Sequence, residues 1–147
     1  MLPHKLQFDS HGQLRHLLTT EGLTSEHIFT ILDRAERFFN QNTGEIIQTS
    51  ELQGKTLANL FFEASTRTRS TFELAAKKLS ANVLNLNISH SSTSKGESLR
   101  DTVRNLQAMQ CQLFVVRHSS SGASHFVAEH ISASSTVINA GDGCHAH

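Results

Sequence analysis

The sequence has no surplus of either charge: 13 Lys and Arg stand against 13 Asp and Glu, and the pI is about 7.2. Lacking a basic excess, and with its cations spread along the chain, it does not read as a nucleic-acid surface. No apolar run approaches the roughly 20 residues that a membrane span needs. The N-terminal MLPHKLQFDSHGQLRHLL holds no long apolar stretch, so no signal peptide is read there. Two cysteines, Cys111 and Cys144, make no disulfide framework, and a reduced, cytoplasmic protein is the expectation. The phosphate-binding patterns G-x-x-x-x-G-K-[ST] and G-x-G-x-x-G do not occur. Cys144, His145 and His147 cluster at the end, but no separated Cys or His pair completes a zinc-like set, so no metal is expected. The ten histidines are mostly scattered singly and are expected to face solvent. The one proline is Pro3, and the chain stops at GDGCHAH directly after a strand-like segment, an ending expected of a cut chain.

What is present is one domain's worth of alternating patterns. SEHIFTILDRAERFFN places Ile28, Ile31, Leu32, Ala35, Phe38 and Phe39 on one helical face, with Thr24 placed to cap it. QNTGEIIQTSELQGK reads as a loop and KTLANLFF as a short buried strand. TFELAAKKLS is helical through Phe72, Ala75, Ala76 and Leu79, and NVLNLNI alternates as a strand. After the polar SHSSTSKGES, SLRDTVRNLQAM is helical through Leu99, Val103 and Leu106. QLFVVRH is a strand, SGASHFVAEHIS a helix and STVINAG a last strand. Strand–helix alternation predicts an α/β fold, with a mostly parallel, roughly four-stranded sheet and helices on both faces.

Ligands of such sheets bind beyond the carboxyl ends of the strands. STRTR, SSTSKGES, RHSS and GDGCHAH each follow a predicted strand and therefore converge on one edge. A helix starting at Ser65-Thr66-Arg67-Thr68 presents unpaired N–H groups and its positive dipole end to an anion, phosphate above all. The hydroxyls of Ser65, Thr66 and Thr68 add donors, and Arg67 adds a planar fork suited to phosphate oxygens. Ser65 can instead simply cap the helix, with the arginines paired to Glu63 or Glu73, although two arginines and three hydroxyls in five residues exceed what a cap needs. Lys95, beside Gly96 on the Ser-rich loop, can bring a point charge to an anion or ride in solvent. Arg117, at the end of an apolar strand and followed by His118, points toward the same edge or into solvent.

In this order, FFEASTRTR, the Ser-rich loop with KGESLRDT, VVRH and GDG followed by a terminal His resemble the aspartate and ornithine carbamoyltransferase family, in which STRTR is the carbamoyl-phosphate motif. Glu63-Ala64 before the motif, Lys95-Gly96-Glu97-Ser98, and Leu99 with Asp101-Thr102 are closer to the aspartate branch. The resemblance covers essentially the whole chain but only the N-terminal, carbamoyl-phosphate half of the family's polypeptide. It implies that residues 1–147 are the carbamoyl-phosphate-binding domain. The family's Pro-Thr-Gln after the terminal His, and its aspartate-binding second domain, are not in this sequence.

Several roles follow from the resemblance alone. Ser65, Thr66, Arg67 and Thr68 would bind the phosphate, and Thr68, Arg117 and His147 would surround the carbamoyl oxygen. Ser91 and Lys95 would reach into the site of a neighbouring chain of a homotrimer. Glu63 would pair with arginines of the second domain, and Arg69 would have a structural pairing role. The implied reaction carbamoylates the amino group of L-aspartate, giving N-carbamoyl-L-aspartate and phosphate for pyrimidine biosynthesis, with no cofactor, metal or covalent nucleophile. Regulatory or dihydroorotase subunits are possible partners. Two other readings stay open: the ornithine branch, and a non-catalytic phosphate-binding or oligomerisation module. On its own, the 147-residue chain is expected to bind anions weakly, to carbamoylate aspartate at no useful rate, and to associate through exposed apolar surface.

Overall fold

A computed structural model describes residues 6–87 and 98–143. Eight elements alternate along the chain: α1 (Ser25–Glu36), β1 (Thr56–Phe61), α2 (Thr66–Lys78), β2 (Asn82–Asn87), α3 (Leu99–Ala108), β3 (Leu113–His118), α4 (Ala123–His130) and β4 (Thr136–Asp142). The four strands form one sheet in the order β2-β1-β3-β4, and every pair is parallel. The α/β class, the strand number and the parallel pairing are those predicted from the sequence. All four strands therefore finish at the same edge, where the chemically rich loops begin.

Central strand β1 is buried at five consecutive positions, as expected of a parallel strand covered on both faces. Its alternate residues feed two cores. Ala58 and Leu60 pack with Phe114, Val116, Val103 and Leu106 of α3, and Val127 and Ala128 of α4. Leu57 and Phe61 pack with Val115, Ala140 and Ala76 of α2. Asn59 is the buried polar exception; its amide donates to Asn85 Oδ1 at 2.8 Å, and Asn85 donates to Glu73 of α2 at 2.8 Å.

One expectation needs correction, that of solvent-facing histidines, and it fails at His16. α1 forms and is capped by Thr24, whose hydroxyl accepts from His27 N at 3.3 Å, but none of its residues is buried. Of its apolar stripe, Ile28, Ile31 and Leu32 are 42%, 40% and 54% exposed. α2 starts at Thr66 with Ser65 at its N-cap, where the STRTR segment placed a helix start, and runs on through the Phe72 pattern. His16 is fully buried rather than solvent-facing. It belongs to an N-terminal segment that lies along β4, where Leu17 pairs with Ile138 in parallel and His16 Nδ1 accepts from Val137 N at 3.0 Å. Gln7, also fully buried, fixes this segment by accepting from Leu18 N at 2.7 Å and Thr19 N at 2.9 Å.

Candidate functional site

At the carboxyl edge of the sheet, a polar cleft of about 430 Å³ is lined by Ala64, Ser65, Thr66, Arg67, Thr68 and Arg117. Five predicted site residues, from the β1–α2 junction and the end of β3, are thus brought together. Ser91, Lys95 and His147 lie outside the described residues, as do Cys144 and His145. Among the described residues, no group of three or more His, Cys, Asp or Glu is placed to hold a metal ion.

The start of α2 separates an anion site from a plain cap. α1 and α3 both begin with complete capping boxes: Thr24 with His27, and Ser98 with Asp101. α2 has none. Ser65 stands at its N-cap but makes no side-chain cap bond, and its hydroxyl donates to Thr68 Oγ1 at 3.0 Å instead. The first turn also holds no acidic residue and carries Arg67 and Arg69, against the preference for negative charge at that end. A helix start with cations and an uncapped first turn is electrostatically suited to a bound anion.

Among the described residues, Arg67 does not form the ion pair expected of a mere cap either. Glu73 is taken by Lys77 at 2.6 Å, and Glu63 lies 3.6 Å from Arg117 Nε. Arg67 is exposed and forms no ion pair among the described residues. Arg69 lies within electrostatic reach of Glu73, in line with a structural role; the carboxyl is held below its usual range chiefly by hydrogen bonds from Lys77 and Asn85.

Arg117 is held from two sides. Its Nη1 donates to the Ala140 carbonyl at 2.8 Å, and Glu63 flanks its Nε. Beside it, His118 lies against Phe62 with ring centroids 4.7 Å apart, and its Nδ1 accepts from Ser120 N at 2.8 Å. Burial lowers the His118 pKa, opposed by the Glu63 charge. The β3 and β4 ends are also stitched together: Gly143 N donates to His118 O at 2.8 Å, and the buried Asp142 accepts from Gly122 N at 2.9 Å. A Cβ on Gly143 would sit 2.6 Å from Ser119 O, so the loops after β3 and β4 touch only because glycine stands there.

Sequence reasoning missed Asn139, Ala140 and Asp142. The two glycines around Asp142 were the available signal, since glycine in a strand end marks a bulge or a close approach.

A family model described as aspartate/ornithine carbamoyltransferase, carbamoyl-P binding domain, matches residues 15–147. Among solved structures, the catalytic subunit of M. jannaschii aspartate transcarbamoylase is 38% identical with a TM-score of 0.74, covering 88% of this chain and 42% of that one. Trypanosoma cruzi aspartate transcarbamoylase in complex with carbamoyl phosphate is 29% identical with a TM-score of 0.76, covering 88% and 39%. The same enzyme in complex with carbamoyl phosphate and aspartate is 30% identical with a TM-score of 0.68, again covering 88% and 39%. The chain therefore spans about two fifths of the length of these structures.

Proposed function

This chain belongs to the aspartate/ornithine carbamoyltransferase family through its carbamoyl-phosphate-binding domain, and we propose that it forms the carbamoyl-phosphate half of an aspartate carbamoyltransferase. The observation that carries the reading is the uncapped, arginine-bearing start of α2 facing Arg117 across one polar cleft. The phosphate sits against the first-turn N–H groups, with Ser65, Thr66, Arg67 and Thr68 around it. Similarity to aspartate transcarbamoylases, one of them holding both carbamoyl phosphate and aspartate, favours aspartate over ornithine as the acceptor.

The chemistry follows from charge. The α-amino nitrogen of aspartate bonds to the carbamoyl carbon, and negative charge grows on the carbonyl oxygen. The carbon–oxygen bond to phosphate then breaks, the phosphate leaves toward the α2 N-terminus, and the amine gives up its proton. Thr68 and Arg117 act as preorganised donors to the developing oxyanion, and His147 is assigned beside them. Holding two anions in contact needs cations from several loops, and proximity supplies much of the rate. Ser91 and Lys95 are assigned to a neighbouring chain's site in a homotrimer. A cytoplasmic setting is part of the same reading, as is the assignment of residues 1–147 to one carbamoyl-phosphate domain.

Titration of the unmodified chain and of Arg67→Ala with carbamoyl phosphate and with inorganic phosphate tests the reading. The variant is expected to bind about tenfold or more weakly, the usual effect of losing a charge-assisted contact. Equal affinities would remove the phosphate site from α2. Binding of inorganic phosphate without preference for carbamoyl phosphate would favour the plain phosphate-binding module.

A further inference from the structure

β3 and β4 run in register from Leu113–Thr136 to Val116–Asn139, and then slip: the next pair is His118–Asp142. Two residues on β4, Ala140 and Gly141, stand opposite the single residue Arg117. Bulges of this kind are rare in parallel pairs and recur beside functional sites, where they re-aim a side chain. The slip takes Ala140 out of the β3 ladder, and the carbonyl of Ala140 is the acceptor of Arg117 Nη1 at 2.8 Å.

The side chain of Asn139 shapes this slip. Its Oδ1 accepts from Gly141 N at 2.9 Å, closing a turn around Ala140, and Gly141 has a φ of 121°, which glycine alone adopts readily. The other end of the amide is fixed as well. Nδ2 donates to Leu18 O at 2.9 Å, and Asn139 N donates to Leu17 O at 2.9 Å. Leu18 is in turn held by the buried Gln7, whose Oε1 accepts from its N–H at 2.7 Å. A continuous set of hydrogen bonds therefore runs from the N-terminal segment through Asn139 and the bulge to the guanidinium that lines the cleft.

We infer that Asn139 is a positioning residue for anion binding: it sets the β4 bulge whose Ala140 carbonyl holds Arg117 in the cleft. The inference rests on the reading that Arg117 meets the anion. Asn139 touches no ligand itself, so its effect passes through Arg117.

Inorganic phosphate titrations of the unmodified chain, Asn139→Ala, Arg117→Ala and the double variant test this. Each single variant is expected to weaken binding by about tenfold, and the double variant by no more than Arg117→Ala alone, since both remove one contact. Multiplying losses in the double variant, or an unchanged affinity in Asn139→Ala, would overturn the inference. Asn139→Ser restores a weaker form of the same turn bond and lacks the amide donor. It is expected to recover most of the affinity, and a loss of about tenfold in the folded Asn139→Ser variant overturns the role of the bulge even where the alanine variant fails to fold. The Arg117 Nε–H resonance, followed by ¹⁵N NMR without ligand, is expected to shift in Asn139→Ala and to return toward its place in Asn139→Ser. If that resonance moves while Arg117→Ala leaves phosphate binding untouched, the anion role of Arg117 falls and the positioning geometry stands. An unmoved resonance removes the positioning role itself.

Discussion

At the scale of single residues, stability draws on a histidine that its spacing did not single out. His16 sits among scattered histidines in the sequence, yet its ring is sealed under the N-terminal segment, where Nδ1 accepts from Val137 N and Nε2 has no partner among the described residues. Burial, helped by the Arg15 charge, lowers its pKa from 6.5 to about 4. Because the folded pKa lies below the unfolded one, the unfolded chain binds the extra proton between these values. Stability is therefore complete above about pH 6.5 and falls as the pH drops toward 4. The loss is expected to reach at most about 3 kcal/mol. Urea unfolding followed from pH 7 to pH 4 measures it. His16→Asn, which keeps an acceptor for Val137 N but cannot titrate, is expected to show a shallower decline over that window. An identical slope in both proteins would place the titrating group elsewhere.

At the scale of elements, the three longest helices solve their N-terminal ends in two ways. α1 and α3 satisfy theirs from their own side chains, and α2 does not. A cap and a phosphate compete for the same N–H groups, so stability of the free helix and affinity for the anion are opposed at this position. Ser65→Asp tests the opposition. A carboxylate at the N-cap is expected to stabilise α2 by about 0.5–1 kcal/mol. The same charge is expected to weaken phosphate binding by about tenfold or more. Denaturant unfolding and phosphate titration of the one variant give both signs. A gain in stability with undiminished affinity would show that the anion does not use this helix start.

At the scale of the whole molecule, the sheet is covered unequally. α3 and α4 close one face, whereas on the other α2 lies chiefly over β1 and β2. An apolar groove of about 290 Å³ remains there, lined among others by Leu57, Phe72, Leu113, Val115 and Ile138. A second groove of about 190 Å³, between Phe38, Phe39, Ile46, Ile47 and α2, shares Ala75 and Leu79 with it. With Phe29 62% and Leu32 54% exposed on α1, apolar surface extends well beyond an isolated side chain. Surface of this extent promotes association. Replacing Phe29 and Leu32 together by Ser is expected to reduce self-association in sedimentation experiments. The unfolding free energy is expected to stay within about 0.5 kcal/mol, since neither side chain is buried. A large loss of stability would show that α1 is packed in solution, and unchanged association would move the sticky surface elsewhere.

The order of elements, the parallel pairing and the site edge were legible in the sequence because they rest on local periodicity: buried runs such as TLANLF for strands, and Val103 with Leu106 for a helix face. STRTR was legible for a similar reason, since its hydroxyls and cations stand together along the chain before any folding. Three things were decided only by tertiary structure. Whether Ser65 caps α2 or pairs with Thr68 depends on a side-chain choice that both readings of the motif allow. Whether the stripe on α1 is buried depends on what lies opposite it, and amphipathic spacing carries no record of a partner. The Asn139–Ala140–Gly141 bulge depends on register between strands more than twenty residues apart, and on an N-terminal segment more than a hundred residues away. Hydrophobic pattern records which residues are apolar, not which carbonyl a slipped register leaves for Arg117.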